Sequence, residues 1–339
     1  MKKQTNIKKF EGPVTVAVVG AGVVGKEMIR ILVERKFPIK ELRVLARSKR
    51  TLEVNGRNYE VQETTPEAFN GVDIALFAGT EGEKGAAVTF GSEAIRRGAI
   101  LIDNGSDFRM DPKVPLVIPE INAHDIAWHQ GIIANPNCTT AVMLMPLAPI
   151  YRKFGIRRII VSTYQAVSGA GAQAVQDLKD QSAEFLQSGK VKSSGSFPDP
   201  IAFNVLIHNW KVEKDGYSNE ELKVVKETHK ILGDKSIQVV PTTVRVPVLN
   251  AHSESLYVET KKKVSPSQIS ALLAKTPGVR LVENPMPTEA SGQDDILVGR
   301  IRKDLFNPKA VLLWAVGDNL RKGAALNAVQ IAECLVEKS

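Results

Sequence analysis

Val14-Thr15-Val16-Ala17-Val18-Val19, followed at once by Gly20-Ala21-Gly22-Val23-Val24-Gly25, decides the fold of this chain. The first six residues are a continuous, largely β-branched run, the pattern of a parallel strand buried on both faces. The next six carry glycines in G-x-G-x-x-G spacing, and residues 26–35 then show helical periodicity. Between a strand and a helix this spacing has a mechanism. The glycines allow a tight turn and let a pyrophosphate approach the positive end of the helix. Working outward, residues 42–46, 72–78 and 100–103 read as three more buried strands with helical stretches between them. Such alternation predicts a doubly wound α/β domain of Rossmann type.

The segment after the second strand predicts which dinucleotide is bound. An NAD-selective site places a carboxylate there to accept from the ribose 2′-hydroxyl. This chain offers Ala46-Arg47-Ser48-Lys49-Arg50 instead. Arg47 and Ser48 suit a 2′-phosphate, which points to NADP(H).

Beyond residue 138 the texture changes. Residues 157–162, 236–240, 244–248, 255–260 and 310–316 read as strands, and 172–188 and 218–232 as helices. This predicts an α+β domain with a mixed or antiparallel sheet. Residues 323–337 read as an amphipathic helix that returns to the first domain. The expected organisation is an extension at 1–12, a dinucleotide-binding domain at 13–138 completed by helix 319–339, and a second domain at 139–318.

Composition excludes several classes. The chain has 339 residues, 43% hydrophobic and 24% charged, which is ordinary for a globular enzyme. No apolar run approaches the roughly 18 residues that a membrane helix needs. The lysine-rich N-terminus lacks the apolar stretch of a secretory signal. Cys138 and Cys334 are too few for a disulfide framework, which suits the cytoplasm. The net charge of +8 is scattered rather than gathered into a nucleic-acid motif. It suits an enzyme of acidic, phosphorylated small molecules.

The chemistry-bearing residues are few. Cys138, in Asn135-Pro136-Asn137-Cys138-Thr139-Thr140, sits where a loop becomes a helix. Unpaired N–H groups and the helix dipole there favour thiolate, although an arbitrary cysteine is more often a small buried hydrophobe. Arg109 follows the fourth strand, at the sheet end where α/β sites lie, and a guanidinium can grip phosphate or carboxylate. The loop Gln165-Ala166-Val167-Ser168-Gly169-Ala170-Gly171 is built of small residues that would admit a ligand closely. Glu220 and Lys223, three apart, share one helix face, where a surface ion pair is the plainer reading. Arg245 and His252 lie in or beside a strand pair, and histidine works as an acid or base near neutral pH. His124, His129, His208 and His229 show no ligand spacing, so no metal site is predicted.

Taken together and in this order, these segments resemble the aspartate-semialdehyde dehydrogenase family. The matching motifs run from the glycine loop and Cys138 through residues 163–171 and Val244-Arg245-Val246-Pro247-Val248 to Asp318-Asn319-Leu320-Arg321-Lys322-Gly323-Ala324-Ala325. The resemblance implies a bacterial-type homodimeric enzyme, tetrameric in some members. It would reduce aspartyl phosphate to aspartate semialdehyde with NADPH, releasing inorganic phosphate, in the biosynthesis of lysine and diaminopimelate, methionine, threonine and isoleucine. It makes Cys138 the nucleophile that carries a thioester, His252 the general acid/base that takes the thiol proton, and Gln165 the residue that orients substrate. Arg245 would hold the substrate α-carboxylate and Glu220 its ammonium. Arg109, Asn137 and Lys223 would bind phosphate. Gly20, Ala21, Gly22, Val23, Val24, Gly25, Arg47, Ser48, Ser168, Gly169 and Asn319 would bind cofactor. The nearest rival is an N-acetyl-γ-glutamyl-phosphate reductase-like enzyme, whose acylated substrate would leave Glu220 no ammonium to meet. Three departures stand out: a glycine loop shorter by one residue, a shorter 2′-phosphate loop, and Ala251 in place of a glycine before the catalytic histidine.

Overall fold

A computed structural model describes residues 9–79, 85–191, 195–207 and 210–337. The 1–12 extension falls mostly outside these residues, as do His208 and the last two residues of the expected C-terminal helix. The chain divides into two compact units, residues 1–137 with 324–339, and residues 138–323.

In the first unit the chain runs β1 (Val14–Val19), α1 (Val23–Glu34), β2 (Ile39–Ala46), β3 (Arg50–Val54), β4 (Arg57–Glu63), β5 (Ile74–Phe77), α2 (Ala86–Arg96), β6 (Ile100–Asp103), α3 (Pro119–Asn122) and β7 (Ile132–Ala134). These strands form one sheet in the order β3-β4-β2-β1-β5-β6-β7. All neighbours are parallel except the β3–β4 hairpin. All six residues of β1 are buried, as a central parallel strand requires. The hairpin is an addition to the expected strands. Its turn is Asn55-Gly56, with φ of 51° and 73° at the two positions, a tight hairpin turn that this dipeptide favours.

The second unit opens with α4 (Cys138–Phe154) and continues β8 (Ile156–Gln165), α5 (Ala172–Ser188), α6 (Asn219–Leu232), β9 (Gln238–Arg245), β10 (His252–Thr260), α7 (Pro266–Leu273), β11 (Val279–Leu281), α8 (Pro287–Ala290), β12 (Ile296–Lys303) and β13 (Ala310–Gly317). Its sheet has the order β11-β12-β13-β10-β8-β9 and is mixed, with β8 antiparallel to β10 and parallel to β9. The two strands expected at 236–240 and 244–248 are one strand. Pro241 does not interrupt it because β9 lies at the sheet edge, where a missing N–H removes no ladder bond. α6 begins at a capping box, Ser218 Oγ accepting from Glu221 N at 3.2 Å and Glu221 Oε2 accepting from Ser218 N at 2.7 Å.

The C-terminal reading needs correction. A π turn at Arg321–Ala325 precedes a short α9 (Leu326–Cys334). This helix is buried on most faces and is not amphipathic. Leu326, Val329 and Ile331 join Ile29, Ile31 and Leu32 of α1 in the core of the first unit. Asn327, fully buried, donates to the Val117 carbonyl at 2.8 Å, so its polarity is satisfied inside the core.

Candidate active site

In the first unit the β1–α1 turn has the shape its glycines demand. Gly20 adopts φ 107° and donates its N–H to Leu45 O at 2.8 Å. A Cβ on Gly25 would lie 1.8 Å from Gly20 O, so close helix–strand packing excludes any side chain. Gly22 differs, with an ordinary extended backbone (φ −86°) and nothing within 4 Å of a Cβ built there. Protein packing explains the first and third glycines. The second has no such packing reason, and its open side lies at the N-terminus of α1. Arg47 and Ser48 follow the last residue of β2 and are exposed. Arg109 is buried, its Nε donating to Asn135 O at 2.9 Å and its Nη2 to Asn104 O at 2.7 Å. Asn137, also buried, is the last residue of this unit before Cys138.

In the second unit, sheet register gathers the remaining candidates. Gln165 and Arg245 are partners at the ends of β8 and β9, while His252, at the start of β10, pairs with Gly317 at the end of β13. Cys138 is the first residue of α4, and its Sγ lies 3.4 Å from His252 Nε2. Gly323 allows the chain to pass this thiol, since a Cβ there would lie 2.8 Å from Cys138 Cβ. Gln165 Nε2 donates to Thr139 Oγ1 at 2.8 Å and to Glu220 Oε1 at 3.1 Å. Glu220 Oε2 lies 3.5 Å from Lys223 Nζ. This i,i+3 pair is not the plain surface bridge of helix statistics, because Glu220 is buried.

The imidazole is held by a backbone donor. Ala166 N–H donates to His252 Nδ1 at 3.1 Å. A backbone amide can only donate, so Nδ1 is an acceptor and the proton of the neutral ring sits on Nε2, facing sulfur. Complete burial, and after it the nearby Arg245 charge, hold His252 well below its ordinary pKa. The imidazole is therefore neutral, and its Nε2–H points at the Cys138 sulfur. Burial also lowers the pKa of Arg245, against the charges of Glu220 and Cys138, which raise it. Arg245 Nη1 donates to Ala166 O at 2.7 Å. Gly169 must be small, because its Cβ would lie 3.1 Å from Arg245 Nη1 and 3.3 Å from His252 Cε1.

Ser168 and Asn319 meet in a polar network. Asn319 Nδ2 donates to Ser168 Oγ at 3.0 Å, Ser168 Oγ donates to Asn250 Oδ1 at 2.8 Å, and Ala251 N–H donates to Asn319 Oδ1 at 3.1 Å. Ala251 is fully buried with φ 70°, so the alanine stands where glycine is the unstrained residue.

Several neighbours of these groups carry no signal in the sequence. Thr139 and Asn250 are reached only through the fold. Trp210 and Phe197 lie on the Arg245 guanidinium, at 4.9 and 5.8 Å from ring centroids to Cζ. Glu254 is fully buried on the same strand face as His252, and neither carboxyl oxygen has a hydrogen-bond partner among the described residues. Among the described residues no three His, Cys, Asp or Glu side chains could hold a metal ion. No described helix is long and apolar enough to cross a membrane.

Comparison with known proteins is consistent across the chain. Residues 15–129 match the model of the semialdehyde dehydrogenase NAD binding domain, and residues 147–322 that of the semialdehyde dehydrogenase dimerisation domain. The chain is 46% identical to an aspartate-semialdehyde dehydrogenase of Synechocystis, over 96% of this chain and 98% of the relative. It is 47% identical to that of Aquifex aeolicus, over 95% and 98%. Its structure is similar to a crystal structure of aspartate semialdehyde dehydrogenase II from Vibrio cholerae complexed with ASA, with TM-score 0.90, 43% identity, and coverage of 95% and 98%. A Candida albicans structure solved with NADP shares the fold at TM-score 0.72 and 22% identity, over 96% and 98%.

Proposed function

This chain belongs to the aspartate-semialdehyde dehydrogenase family, and from that premise we propose how its residues perform the family reaction. The enzyme is an oxidoreductase of amino-acid biosynthesis that interconverts aspartyl phosphate and aspartate semialdehyde. Its second unit carries the dimerisation domain, and the functional form is a homodimer. The exposed outer sheet face, with Tyr164 and Trp314 in ring contact at 5.3 Å, supports pairing through this unit.

The observation that carries the site assignment is the Cys138–His252 contact at 3.4 Å, with Gln165, Glu220 and Arg245 in the same unit. Cys138 attacks the acyl carbon of aspartyl phosphate as thiolate, and phosphate leaves with the electrons of the cleaved C–O bond. NADPH, when bound, supplies the hydride that reduces the resulting thioester. The tetrahedral adduct then collapses to the aldehyde and regenerates thiolate. The proton of the overall reaction ends on phosphate. His252 Nε2–H is placed to donate first to sulfur and then to the oxyanion of the adduct. The geometry supports this donor role better than uptake of the thiol proton. A protonated ring would face the Ala166 N–H, and burial and Arg245 also oppose it.

Arg245 is assigned the substrate carboxylate, Glu220 the ammonium and Gln165 the reacting carbonyl. Lys223, Arg109 and Asn137 are assigned to phosphate. Gly20 to Gly25, with Ser168, Gly169 and Asn319, are assigned to the cofactor. Arg47 and Ser48 are assigned its 2′-phosphate, which favours NADP over NAD. The test is a spectrophotometric assay with NADP and NAD, with and without phosphate, on aspartate semialdehyde and N-acetylglutamate semialdehyde. Phosphate-dependent reduction of NADP by aspartate semialdehyde is expected. Preference for the acetylated aldehyde would overturn the substrate assignment.

A further inference from the structure

Between α5 and α6, residues 195–207 and Trp210 include several partners of Arg245. They are tied at two points. Asp177, on α5, accepts from Ser196 N at 2.7 Å and from Ser196 Oγ. Gln181, one turn on, accepts through Oε1 from Ile201 N at 2.8 Å and Ala202 N at 3.2 Å. Both side chains are buried, so these bonds are shielded from water. Beyond them Leu206 pairs with Arg245 itself, in two backbone bonds of 2.9 and 2.8 Å. The excursion thus adds a partner to the open edge of β9 at the residue whose side chain matters most.

The same excursion delivers two aromatic rings to that side chain. Phe197 is buried at 5.8 Å and Trp210 half-buried at 4.9 Å from the guanidinium carbon. Nη1 is committed to Ala166 O, and Nε has no acceptor among the described residues. The guanidinium is therefore held by one hydrogen bond and two ring contacts. Partial desolvation strengthens a cation–π contact, and Arg245 is 5% exposed.

We propose that Trp210, with Phe197 beside it, is a positioning residue for substrate carboxylate recognition. Its ring fixes the plane of the Arg245 guanidinium so that the free edge of the fork meets the carboxylate in plane. This rests on the assignment of the substrate carboxylate to Arg245. Trp210 touches neither the sulfur nor the imidazole in this picture, so it acts through KM for the carboxylate substrate and not through the chemical step.

The test compares the full-length enzyme with Trp210→Ala, Trp210→Phe and Arg245→Lys. The substrates are aspartate semialdehyde and 3-aminopropanal, the analogue that lacks the carboxylate. Trp210→Ala is expected to raise KM for aspartate semialdehyde about 5- to 20-fold, the range of a partly desolvated cation–π contact. KM for phosphate, kcat and the unfolding temperature should stay near wild type, and Trp210→Phe should restore KM to within about 2-fold. Trp210→Ala and wild type should use 3-aminopropanal equally well. An unchanged KM in Trp210→Ala, an equal effect on both aldehydes, or failure of phenylalanine to rescue would overturn the proposal. Arg245→Lys separates the two readings. If it loses the preference for the carboxylate substrate while Trp210→Ala keeps it, only this inference fails. If Arg245→Lys keeps that preference, the carboxylate assignment itself is wrong.

Discussion

Replacing Glu254 by glutamine should change how stability depends on pH while leaving stability in mild acid nearly unchanged. Glu254 points from β10 into the buried face, two residues from His252, with Thr163 and Ala315 opposite on the neighbouring strands. It is 0% exposed, and burial pushes its carboxyl well above the ordinary carboxylate range. The native protein therefore keeps a proton there that the unfolded chain releases. A carboxyl with a raised native pKa contributes stability fully below its unfolded pKa, and loses that contribution as pH rises through the native value. Within that window each pH unit removes about 1.4 kcal/mol. Over the window the loss is on the order of a few kcal/mol, several degrees in the unfolding temperature of a domain of this size. Glutamine has nearly the same shape and never ionises. Glu254→Gln should match wild type near pH 5 and exceed it progressively toward pH 8, in unfolding temperatures measured with substrate absent. The difference between the two proteins isolates Glu254 from every other titrating group. Parallel curves across that range would refute the reasoning, because they would mean that Glu254 is ionised in the native state.

Cys138→Ala should abolish phosphate-dependent NADP reduction yet keep the unfolding temperature within about 2 °C; substantial turnover would remove the thioester route. Gly323→Ala places a methyl 2.8 Å from Cys138 Cβ, so it should lower kcat at least 10-fold with KM for NADP unchanged, and full activity would count against the close approach. Ala251→Gly relieves left-handed strain of about 1–2 kcal/mol and is offset by a similar loss in backbone entropy and a buried methyl. Its unfolding temperature should therefore stay within about 3 °C of wild type, whereas Ala251→Val, branched at that φ, should lower it by more than 5 °C. Arg47→Glu should shift the NADP/NAD ratio of kcat/KM toward NAD by at least 10-fold, and an unchanged ratio would show that Arg47 does not meet the 2′-phosphate.

Much of this architecture was legible because its signals are local. A six-residue apolar run and three glycines need only their immediate neighbours to imply β1, its turn and α1. The capping box of α6 is equally local. Elements set by distant partners were harder to read. β11 and β12 read weakly by themselves; β12 is held by pairing with β13, and β11 by pairing with β12. Residues 236–240 and 244–248 read as two strands, and the edge position of β9 lets them run on through Pro241 as one. Residues 323–337 looked two-faced, yet α9 is enclosed because the core of the first unit surrounds it. The Asn55-Gly56 hairpin, by contrast, was available in the residues themselves.

The sequence alone determined the α/β class, the dinucleotide turn, the placing of Cys138 at a helix start and the family resemblance, all of which rest on residue types and their order. Tertiary structure decided how the groups act. It brought His252 to Cys138 across 114 positions of chain, and through one backbone N–H it set the side of the imidazole that carries the proton. It buried Glu220, Arg245 and Glu254, and so changed what their charges cost. It also laid Trp210 on Arg245. Burial and the direction of a hydrogen bond depend on what the rest of the chain places around a residue, and local sequence order carries no record of that.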